Sequence, residues 1–272
     1  MNEQDYSFVA KQLFDRAAIV LEPGKEYLLE SRLGPVAKRH GLPSVTDLVR
    51  QLRIFQSNGL FKELVEAMVT TETSFFRDVH PFETLRRTAI PELIRARSKE
   101  RQLNIWCAAS SSGQEPYTVA IILREYFPEL LGWKINFVAT DISEDMLKRC
   151  REANYSQIEV NRGLPTPLLL KYFRQEGARW HLADEIRAMV DFKPLNLAQP
   201  WPHLPQMDLV LMRNVMIYFD VDTKKIVLGR LRRILRADGY LILGGAETTF
   251  SLDGSYQRIE ALKGGFYRLA EK

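Results

Sequence analysis

Two acidic residues, each close behind a predicted strand, could bind a nucleoside-containing ligand. In NIWCAASSSGQEPYTVAII, residues 104–122, apolar residues lead through a loop of small side chains into a helix whose first turn carries Glu115. Small side chains let the backbone N–H groups of such a loop approach a ligand closely. In INFVATDIS, Asp141 follows a second apolar run, where an acid can hold ribose hydroxyls. The pattern predicts a ligand site beyond the carboxyl ends of two parallel strands.

Glu115 discriminates between two cofactors that such a site could bind. A carboxylate in the first turn of a helix would repel a pyrophosphate, which favours helix N-termini. It would accept a cation such as an amine or a sulfonium, so this residue favours S-adenosylmethionine over NAD. Two structural alternatives stay open. Glu115 can simply complement the dipole of its own helix, and Asp141 can cap the next helix in competition with Ser143.

Four segments of the chain resemble, in order, the CheR family of chemotaxis-receptor glutamate methyltransferases. They are TTETSFFRD at 70–78, AASSSGQEPYT at 108–118, ATDIS at 139–143 and RNVMIYFD at 213–220, the last being the most specific. The resemblance covers almost the whole chain. It implies S-adenosylmethionine-dependent methyl-ester formation on glutamate side chains in the cytoplasmic helical region of chemoreceptors, which serves chemotaxis adaptation.

The resemblance also assigns roles to individual residues. The implied cofactor contacts are Thr71, Thr73, Arg77, Glu115, Asp141, Asn196, Leu197, Arg213 and Asn214, and the implied catalytic residues are Arg77 and Tyr218. Within this set, Glu115 would bind the amino-acid end of the cofactor and Asp141 the ribose. Asn196 and Leu197 would flank the adenine, and Tyr218 would lie beside the reactive methyl group.

The chain departs from the family pattern at three places. Thr71 stands where Asn is common, Gln114 where Glu is common, and Gly245-Ala246 where His-Ser is common. The first departure affects one implied cofactor contact, and none of the three lies in the RNVMIYFD segment.

The implied reaction needs alignment more than acid–base chemistry. A glutamate side chain, with a reference pKa of about 4.3, is already ionised at neutral pH, so no strong general base is required. Arg77 could bind a carboxylate with its forked guanidinium, either that of the cofactor or that of the substrate. The alternatives are a surface arginine at Arg77 and a core tyrosine at Tyr218. Phe75 and Phe76 should anchor the segment that carries Arg77.

Two parts of the chain must position these residues. Apolar residues recur every three or four positions through residues 1–76, which predicts a small all-helical domain. Residues 77–272 alternate predicted strands and helices, which predicts an α/β, Rossmann-like S-adenosylmethionine-dependent methyltransferase domain with a mostly parallel sheet. A C-terminal antiparallel hairpin should close this sheet, and residues at about 155–188 should form a small inserted antiparallel β subdomain.

The predicted strands of the main sheet cover 103–108, 135–140, 189–195, 209–212 and 240–243, and the predicted helices cover 116–126, 144–152 and 222–236. The closing hairpin should pair 257–262 with 266–269 around Gly264-Gly265. In the helical domain, Ser44 should cap the helix that carries Leu48 and Leu52.

Composition predicts a cytoplasmic protein without a metal site. The 272 residues are 46% hydrophobic and 26% charged, and no apolar run is long enough to span a membrane. The N-terminus lacks the features of a secretory signal. Cys107 and Cys150 cannot form a disulfide framework, which favours a reducing compartment. The four histidines lie at no metal-ligand spacing from either cysteine, so no zinc site is expected.

A local basic cluster predicts an acidic partner. Its members are Arg32, Lys38, Arg39, Arg50 and Arg53, opposed within residues 31–53 by Asp47 alone. Because the methylated regions of receptors in this family are acidic, Arg32, Lys38 and Arg39 should dock the cytoplasmic domain of transmembrane chemoreceptors. Ordinary solvated helix faces are the alternative. A regulatory protein is a further candidate partner, whereas nucleic acid and direct membrane insertion are not expected.

The length of one connection in the inserted subdomain indicates whether the receptor's C-terminus is bound there. Some members of the family grip a short peptide at the receptor's C-terminus through an edge strand of this subdomain. Here the connection Gln175-Glu176-Gly177-Ala178 is short. We therefore expect that this protein does not need such a tether.

Two other function classes stay open at this point. A nucleic-acid methyltransferase could place basic residues on phosphate. Against it, the chain lacks the Asn/Asp-Pro-Pro-aromatic tetrapeptide of base-amine methylation, and neither cysteine has the Pro-Cys context of a cytosine nucleophile. The other class is a non-catalytic module that binds S-adenosylmethionine and reports it to a partner.

Overall fold

The computed structural model describes residues 1–270, which form two compact units. The first unit combines Met1–Thr70 with the short segments Asn196–Pro200 and Tyr218–Thr223. The second contains Thr71–Leu195, Trp201–Ile217 and the described residues from 224 onward. Among the described residues, no helix is both long enough and apolar enough to cross a membrane.

Four helices make up most of the first unit. They are α1 (Glu3–Ala17), α2 (Glu26–Arg39), α3 (Val45–Phe55) and α4 (Asn58–Met68). Ser44 caps α3 as predicted, because its side chain accepts the backbone N–H of Asp47. Leu48 and Leu52, four residues apart on this helix, are fully buried. The three- to four-residue spacing therefore marks the buried face of the helix.

Arg32 closes the end of α4 within the first unit. Its guanidinium donates to the carbonyl of Met68 at 2.6 Å, to that of Val69 at 3.4 Å and to Thr70 Oγ1 at 3.4 Å. The last carbonyls of a helix lack intrahelical partners, and a cation there also opposes the negative end of the helix dipole. Arg32 therefore has a structural role in this unit.

The rest of the chain alternates helices and strands. In chain order they are α5 (His80–Thr84), α6 (Ile90–Ala96), β1 (Gln102–Ala108), α7 (Gln114–Tyr126), β2 (Lys134–Asp141), α8 (Glu144–Glu152), β3 (Asn154–Ser156), α9 (Gln157–Asn161), α10 (Thr166–Tyr172), β4 (Phe173–Glu176), β5 (Arg179–Leu182), α11 (Asp184–Arg187), β6 (Asp191–Pro194), β7 (Met207–Met212), α12 (Val221–Ile234), β8 (Leu235–Leu243), β9 (Tyr256–Arg258) and β10 (Phe266–Leu269). A π-helical turn, Leu85–Ala89, joins α5 to α6, and a 3-10 turn, Met216–Tyr218, follows β7.

The main sheet has seven strands in the order β6-β2-β1-β7-β8-β10-β9. The first five strands in this order pair in parallel, and β10 and β9 add antiparallel to β8 and to each other. Because β1 pairs in parallel with both β2 and β7, the carboxyl ends of these three strands meet at one edge of the sheet. The predicted fold class, an all-helical part followed by a mostly parallel sheet with a closing hairpin, is confirmed.

The inserted segment forms a separate three-stranded antiparallel sheet, β3-β5-β4. Gly177-Ala178 joins β4 to β5, and Gly177 adopts a φ of 59°, as a tight hairpin turn requires. Phe75 packs edge-on against Tyr155 and Phe173, with ring centroids 5.1 and 5.6 Å away. Phe75 is fully buried, which confirms it as an anchor for its segment.

Several predicted strand boundaries are wrong. The strand predicted at 189–195 is the shorter β6, because Val190 still donates to the carbonyl of Arg187 at 3.3 Å in the turn that follows α11. The strand predicted at 257–262 ends at Arg258, because the residues after it turn back before β10 begins. These two errors concern residues whose apolar character suits a strand or a packed turn equally well. The strand predicted at 240–243 begins earlier, because α12 ends at Ile234 and β8 starts at Leu235, within the helix predicted at 222–236.

Candidate active site

The loop between β1 and α7 holds several residues in unusual backbone conformations. Ala109, Ser111 and Gly113 all adopt positive φ, at 56°, 50° and 94°. Gly113 is constrained further, since a Cβ there would lie 3.1 Å from the Tyr155 hydroxyl and 3.2 Å from the sulfur of Cys150. Small residues in this loop therefore follow from backbone shape and close packing.

Asp141 joins the loop after β1 to the loop after β2. Its Oδ2 accepts the backbone N–H of Ser111 at 2.7 Å, and its Oδ1 accepts that of Ser143 at 2.9 Å. Burial raises the pKa of this carboxyl to about 6, although the backbone N–H groups oppose the shift. Ser143 caps α8 by accepting the N–H of Met146, so Asp141 is not the cap of that helix.

Arg213 holds together the start of α7 and the segment before α5. Its side chain is fully buried and donates from Nη1 to Glu115 Oε2 at 2.5 Å and from Nη2 to Asp78 Oδ2 at 2.7 Å. Nη2 also donates to the carbonyl of Arg77 at 3.1 Å, and the guanidinium lies over the ring of Phe82. Its Nε is buried without a hydrogen-bond partner among the described residues. The site thus contains a fixed, charge-balanced acid beside one unsatisfied donor.

The second oxygen of Glu115 lies against a thiol. Oε1 accepts a hydrogen bond from Cys107 Sγ at 3.4 Å. Burial, together with the neighbouring Glu115, raises the pKa of Cys107 well above its usual range. The thiol therefore stays protonated and serves as a donor to Glu115 rather than as a nucleophile.

The segment before α5 carries three of the implied site residues. Thr71 contributes its carbonyl, which accepts Ser111 Oγ at 2.5 Å. Arg77 is half-buried and donates from Nη1 to the carbonyl of Glu72 at 3.1 Å. A guanidinium carries five N–H donors, so this bond leaves capacity for a carboxylate. Thr73 is half-buried.

Left-handed backbone conformations cluster in this part of the second unit. Phe76, Asp78 and Val79 adopt φ of 49°, 68° and 52°, and Asn214 adopts 59°. In residues other than glycine such conformations cost about 1–3 kcal/mol each and persist only where the surroundings hold them. Here the N–H of Phe76 donates to Thr118 Oγ1 at 3.1 Å. The strain is concentrated at the implied site, as is common for binding and catalytic centres.

The loop after β7 wraps around the carboxylate of Glu247. Backbone N–H groups of five residues donate to it: Gly244 and Asn214 to Oε2, both at 2.7 Å, and Val215, Met216 and Ile217 to Oε1 at 2.9, 2.7 and 3.3 Å. Neither Glu247 nor the pairing of Asp78 with Arg213 was predicted from the sequence. Asp78 ends the TTETSFFRD segment, and Glu247 directly follows the family departure at Gly245-Ala246. Their closeness to these family motifs is the sequence signal that could have identified both residues.

Three implied residues lie in the first unit. Asn196 donates from Nδ2 to the carbonyl of Arg16 at 2.6 Å, and Leu197 is buried. Tyr218 is partly exposed, and its carbonyl accepts the N–H of Val20 at 3.1 Å. The second unit contains the other implied residues: Thr71, Thr73, Arg77, Glu115, Asp141, Arg213 and Asn214.

The polar groups of the second unit fit S-adenosylmethionine. Its ribose hydroxyls are donors, and the oxygens of Asp141 keep acceptor capacity beyond the N–H groups that they already accept. Its amino group is a cation, and Glu115 presents a buried carboxylate. Its carboxylate is an acceptor, and Nε of Arg213 is a buried donor without a partner among residues 1–270. The ribose, the amino group and the carboxylate of the cofactor thus each have a complementary group in the second unit.

Comparison with known proteins finds matches to both parts of the chain. Residues 4–69 match the family described as CheR methyltransferase, all-alpha domain, and residues 71–264 match CheR methyltransferase, SAM binding domain. The chain is 38% identical over 268 residues to chemotaxis protein methyltransferase 1 of Pseudomonas aeruginosa, which covers 97% of this chain and 97% of that protein. It is 38% identical to chemotaxis protein methyltransferase Cher2 of Pseudomonas putida, with 92% of each chain covered. It is 30% identical to the chemotaxis protein methyltransferase of Escherichia coli, with 93% of this chain and 87% of that protein covered.

These matches span both the helical part and the sheet that carries Asp141, Glu115 and Arg213. Neither a nucleic-acid methyltransferase nor a non-catalytic module receives support from them. The chain therefore belongs to the CheR methyltransferase family, and its larger domain binds S-adenosylmethionine.

Proposed function

We propose that this protein methylates glutamate side chains in the cytoplasmic helical region of chemoreceptors, with S-adenosylmethionine as the methyl donor, and so serves chemotaxis adaptation. One observation carries the proposal: Glu115, Asp141 and Arg213 gather beside the carboxyl ends of neighbouring parallel strands. The relatives named above are chemotaxis protein methyltransferases, which supports a receptor substrate. We place the protein in the cytoplasm, because the proposed substrate region of the receptor lies there.

In this proposal each end of the cofactor has its own partner. Asp141 accepts the ribose hydroxyls, and Glu115 accepts the amino group. Arg213 keeps Glu115 in place and lines the pocket with its unsatisfied Nε. Thr71, Thr73, Arg77 and Asn214 are the further cofactor contacts that we propose in the second unit, and Asn196 and Leu197 are those that we propose in the first.

The protein's contribution to the reaction is orientation and exclusion of water. When bound, S-adenosylmethionine supplies an electrophilic methyl group on a sulfonium. The substrate glutamate is already ionised at neutral pH, so no residue has to remove a proton from it. Arg77 binds a carboxylate with its guanidinium, and Tyr218 orients the substrate carboxylate through its hydroxyl. Holding the reacting oxygen in line and free of water then supplies most of the rate enhancement.

Receptor docking uses the basic residues of α2, Arg32, Lys38 and Arg39. Lys38 and Arg39 are exposed, and Arg39 pairs with Glu63 at 3.1 Å. Exposed ion pairs of this kind contribute little to the stability of the fold. Arg39 can therefore leave Glu63 and pair with an acidic group of the receptor. Because Arg32 donates to the end of α4, Lys38 and Arg39 carry the larger share of docking. Such an interaction weakens as salt concentration rises.

The proposal also includes a division into domains and a role for the inserted subdomain. The functional domains are residues 1–76 and 77–272, with the inserted β subdomain at about 155–188. The two-residue turn Gly177-Ala178 supports an insert that works without a grip on the receptor's C-terminus. Removing the last five residues of a receptor should then leave its methylation by this protein unchanged. A regulatory protein is a further partner that we propose.

Transfer of radiolabelled methyl groups tests the proposal directly. The protein is incubated with labelled S-adenosylmethionine and a purified receptor cytoplasmic fragment. We expect label on the receptor that mild base releases, since carboxyl methyl esters are base-labile. A receptor fragment whose accepting glutamates are replaced by alanine is the matched control and should take up none. In a parallel incubation with RNA in place of the receptor, label on the RNA would establish a nucleic-acid methyltransferase, and cofactor binding without transfer to either substrate would establish a non-catalytic module.

A further inference from the structure

We propose that Glu247 is a positioning residue for methyl transfer: its carboxylate holds Asn214–Ile217 in the conformation that the reaction requires. The inference rests on the proposed function, because Asn214 is one of its cofactor contacts and Tyr218 follows Ile217 directly in the chain. Glu247 comes from the loop after β8, the strand that pairs with β7. It therefore reaches the loop after β7 from the neighbouring strand.

The donors around Glu247 require an ionised carboxylate. Oε2 accepts two N–H groups and Oε1 accepts three, from Gly244, Asn214, Val215, Met216 and Ile217. A carboxylate offers acceptors at both oxygens, whereas the amide of glutamine offers one acceptor and one donor. Glutamine in this position would turn its NH₂ group toward backbone N–H groups on one side. The environment thus selects the charge as well as the shape of the side chain.

Burial and packing make the arrangement rigid. Glu247 is 8% exposed, and a buried N–H group that loses its acceptor is costly. The carboxylate also holds Asn214 at its positive φ of 59°. Position 244 has no room for a side chain, because a Cβ there would lie 2.7 Å from Asn214 Nδ2 and 2.8 Å from Glu247 Oε2. Glycine, glutamate and asparagine at these positions constrain one another.

The clamped residues lead into the 3-10 turn Met216–Tyr218. The N–H groups of Met216 and Ile217, in the first two residues of this turn, both donate to Oε1 of Glu247. These donors fix the backbone immediately before Tyr218. Because the reaction asks the protein mainly for alignment, a displacement of about 1 Å in such a segment can slow it roughly 100-fold.

Glu247→Gln tests this role with a side chain of the same size. We expect single-turnover methyl transfer to a receptor fragment to slow roughly 100-fold. The rate is expressed per S-adenosylhomocysteine-binding site, so a smaller folded fraction does not count as a slower reaction. Glu247→Asp keeps the charge on a shorter stem and should recover part of the rate. Backbone amides of residues 215–217 should exchange with deuterium about tenfold faster in Glu247→Gln, since their acceptor is lost.

Glu159→Gln is the matched control, because Glu159 also accepts a backbone N–H, that of Ser156, but in the inserted subdomain. It should leave the rate per binding site and the exchange of residues 215–217 unchanged. An equal loss of rate in this control, or a wild-type rate per site in Glu247→Gln, would overturn the proposal.

Two further arms keep the test decisive. If Glu247→Gln does not fold, Gly244→Ala crowds the same carboxylate from the other side and should slow transfer in the same way; an undiminished rate there overturns the proposal. If the wild-type protein itself transfers no label to the receptor, the proposed function fails. Deuterium exchange in Glu247→Gln then still decides whether Glu247 holds the loop.

Discussion

Glu115 and Arg213 form a buried ion pair, with Nη1 of the arginine 2.5 Å from Oε2 of the glutamate. Arg213 directly follows β7, and Glu115 lies in the first turn of α7, after β1. The pair therefore connects the carboxyl ends of two adjacent parallel strands. It gives the acid a fixed position from which to meet a cationic ligand group.

Removing the charge of Glu115 should destabilise the protein and weaken cofactor binding together. Glu115→Gln leaves the buried Arg213 with Asp78 as its remaining acidic partner, and breaking a buried pair costs on the order of 3 kcal/mol. Urea unfolding measures the stability, and calorimetric titration of S-adenosylhomocysteine measures the affinity, which we expect to fall at least about tenfold.

Glu185→Gln is the comparison for this change, because Glu185 pairs with Arg124 at the surface. An exposed pair contributes only about 0–1 kcal/mol. If Glu115→Gln were no less stable than Glu185→Gln, the buried pair would not stabilise the fold.

Cofactor binding should depend on pH through Asp141. The folded-state pKa of about 6 lies above the unfolded value of 3.8. The stability from this group is therefore fully present below pH 3.8 and is lost as pH rises through 6. Ligand binding has the opposite sign, because ribose hydroxyls donate to the ionised carboxylate. We expect S-adenosylhomocysteine affinity to fall about tenfold from pH 7 to pH 5.

Substitutions at Asp141 check that assignment. Asp141→Ala should lose about 1.5–3 kcal/mol of binding free energy at pH 7, the scale of a charge-assisted hydrogen bond. Asp141→Asn has no titrating carboxyl and should show no change of affinity between pH 5 and 7. The same pH dependence in wild type and Asp141→Asn would assign it to another group, and undiminished affinity in Asp141→Ala would remove Asp141 from the site.

The helices and strands could be predicted from the sequence because apolar spacing within a short segment determines which of the two forms. Apolar spacing marked the buried face of α3, and alternating strands and helices predicted the parallel sheet. The boundaries of β6 and β9 were missed because apolar residues in a packed turn resemble those in a strand. Backbone hydrogen bonds of the turn, such as that from Val190 to the carbonyl of Arg187, decide between the two, and residue type alone does not reveal them.

The candidate site was predictable only in part, for a related reason. Asp141 and Glu115 follow strands within one short segment each, so their placement could be read from spacing. Glu247 binds N–H groups about thirty residues earlier in the chain, and Asp78 meets Arg213 from more than a hundred residues away. No local pattern records such contacts. The pairing of β7 with β8 brings Glu247 to its donors, and the fold of the segment before α5 brings Asp78 to Arg213.

Arg77 has two alternative roles that mutation can separate. If it binds the carboxylate of the cofactor, Arg77→Ala should weaken cofactor binding and turnover together. If it orients the incoming glutamate, cofactor affinity should survive while turnover falls. Arg77→Lys should restore little in either case, because a point charge cannot reproduce a bidentate fork. Cofactor titration and single-turnover transfer on the same preparations decide the question, and wild-type values for both in Arg77→Ala would exclude either role.

Docking through α2 should respond to charge at Lys38. Reversing Arg32 would also break its hydrogen bonds to the end of α4, so Lys38→Glu is the cleaner variant. We expect a several-fold higher KM for receptor, a loss that shrinks as salt rises, and unchanged cofactor affinity. Lys99→Glu makes the same charge change at an exposed position outside α2. Equal effects of the two variants would mean that net charge, rather than the α2 surface, matters.

Tyr218→Phe is the most specific test of the chemistry. The hydrogen bond that Tyr218 accepts from Val20 uses its backbone carbonyl, and its side chain is partly exposed. Removal of the hydroxyl therefore leaves both the backbone bond and the local packing in place. We expect a lower single-turnover rate with nearly unchanged affinity for S-adenosylhomocysteine, the pattern of an interaction made mainly in the transition state.

Phe219 offers a packing control for this variant, because it is the buried neighbour of Tyr218. Phe219→Leu disturbs the interior beside the same turn without touching the hydroxyl, so it should lower stability more than Tyr218→Phe does. Its rate per cofactor-binding site should exceed that of Tyr218→Phe if the hydroxyl itself takes part in the reaction. If Tyr218→Phe transferred methyl groups at the wild-type rate, the hydroxyl would have no part in the reaction. Alignment by the clamped loop before it would then have to account for the catalysis, and Glu247→Gln would become the more damaging of the two changes.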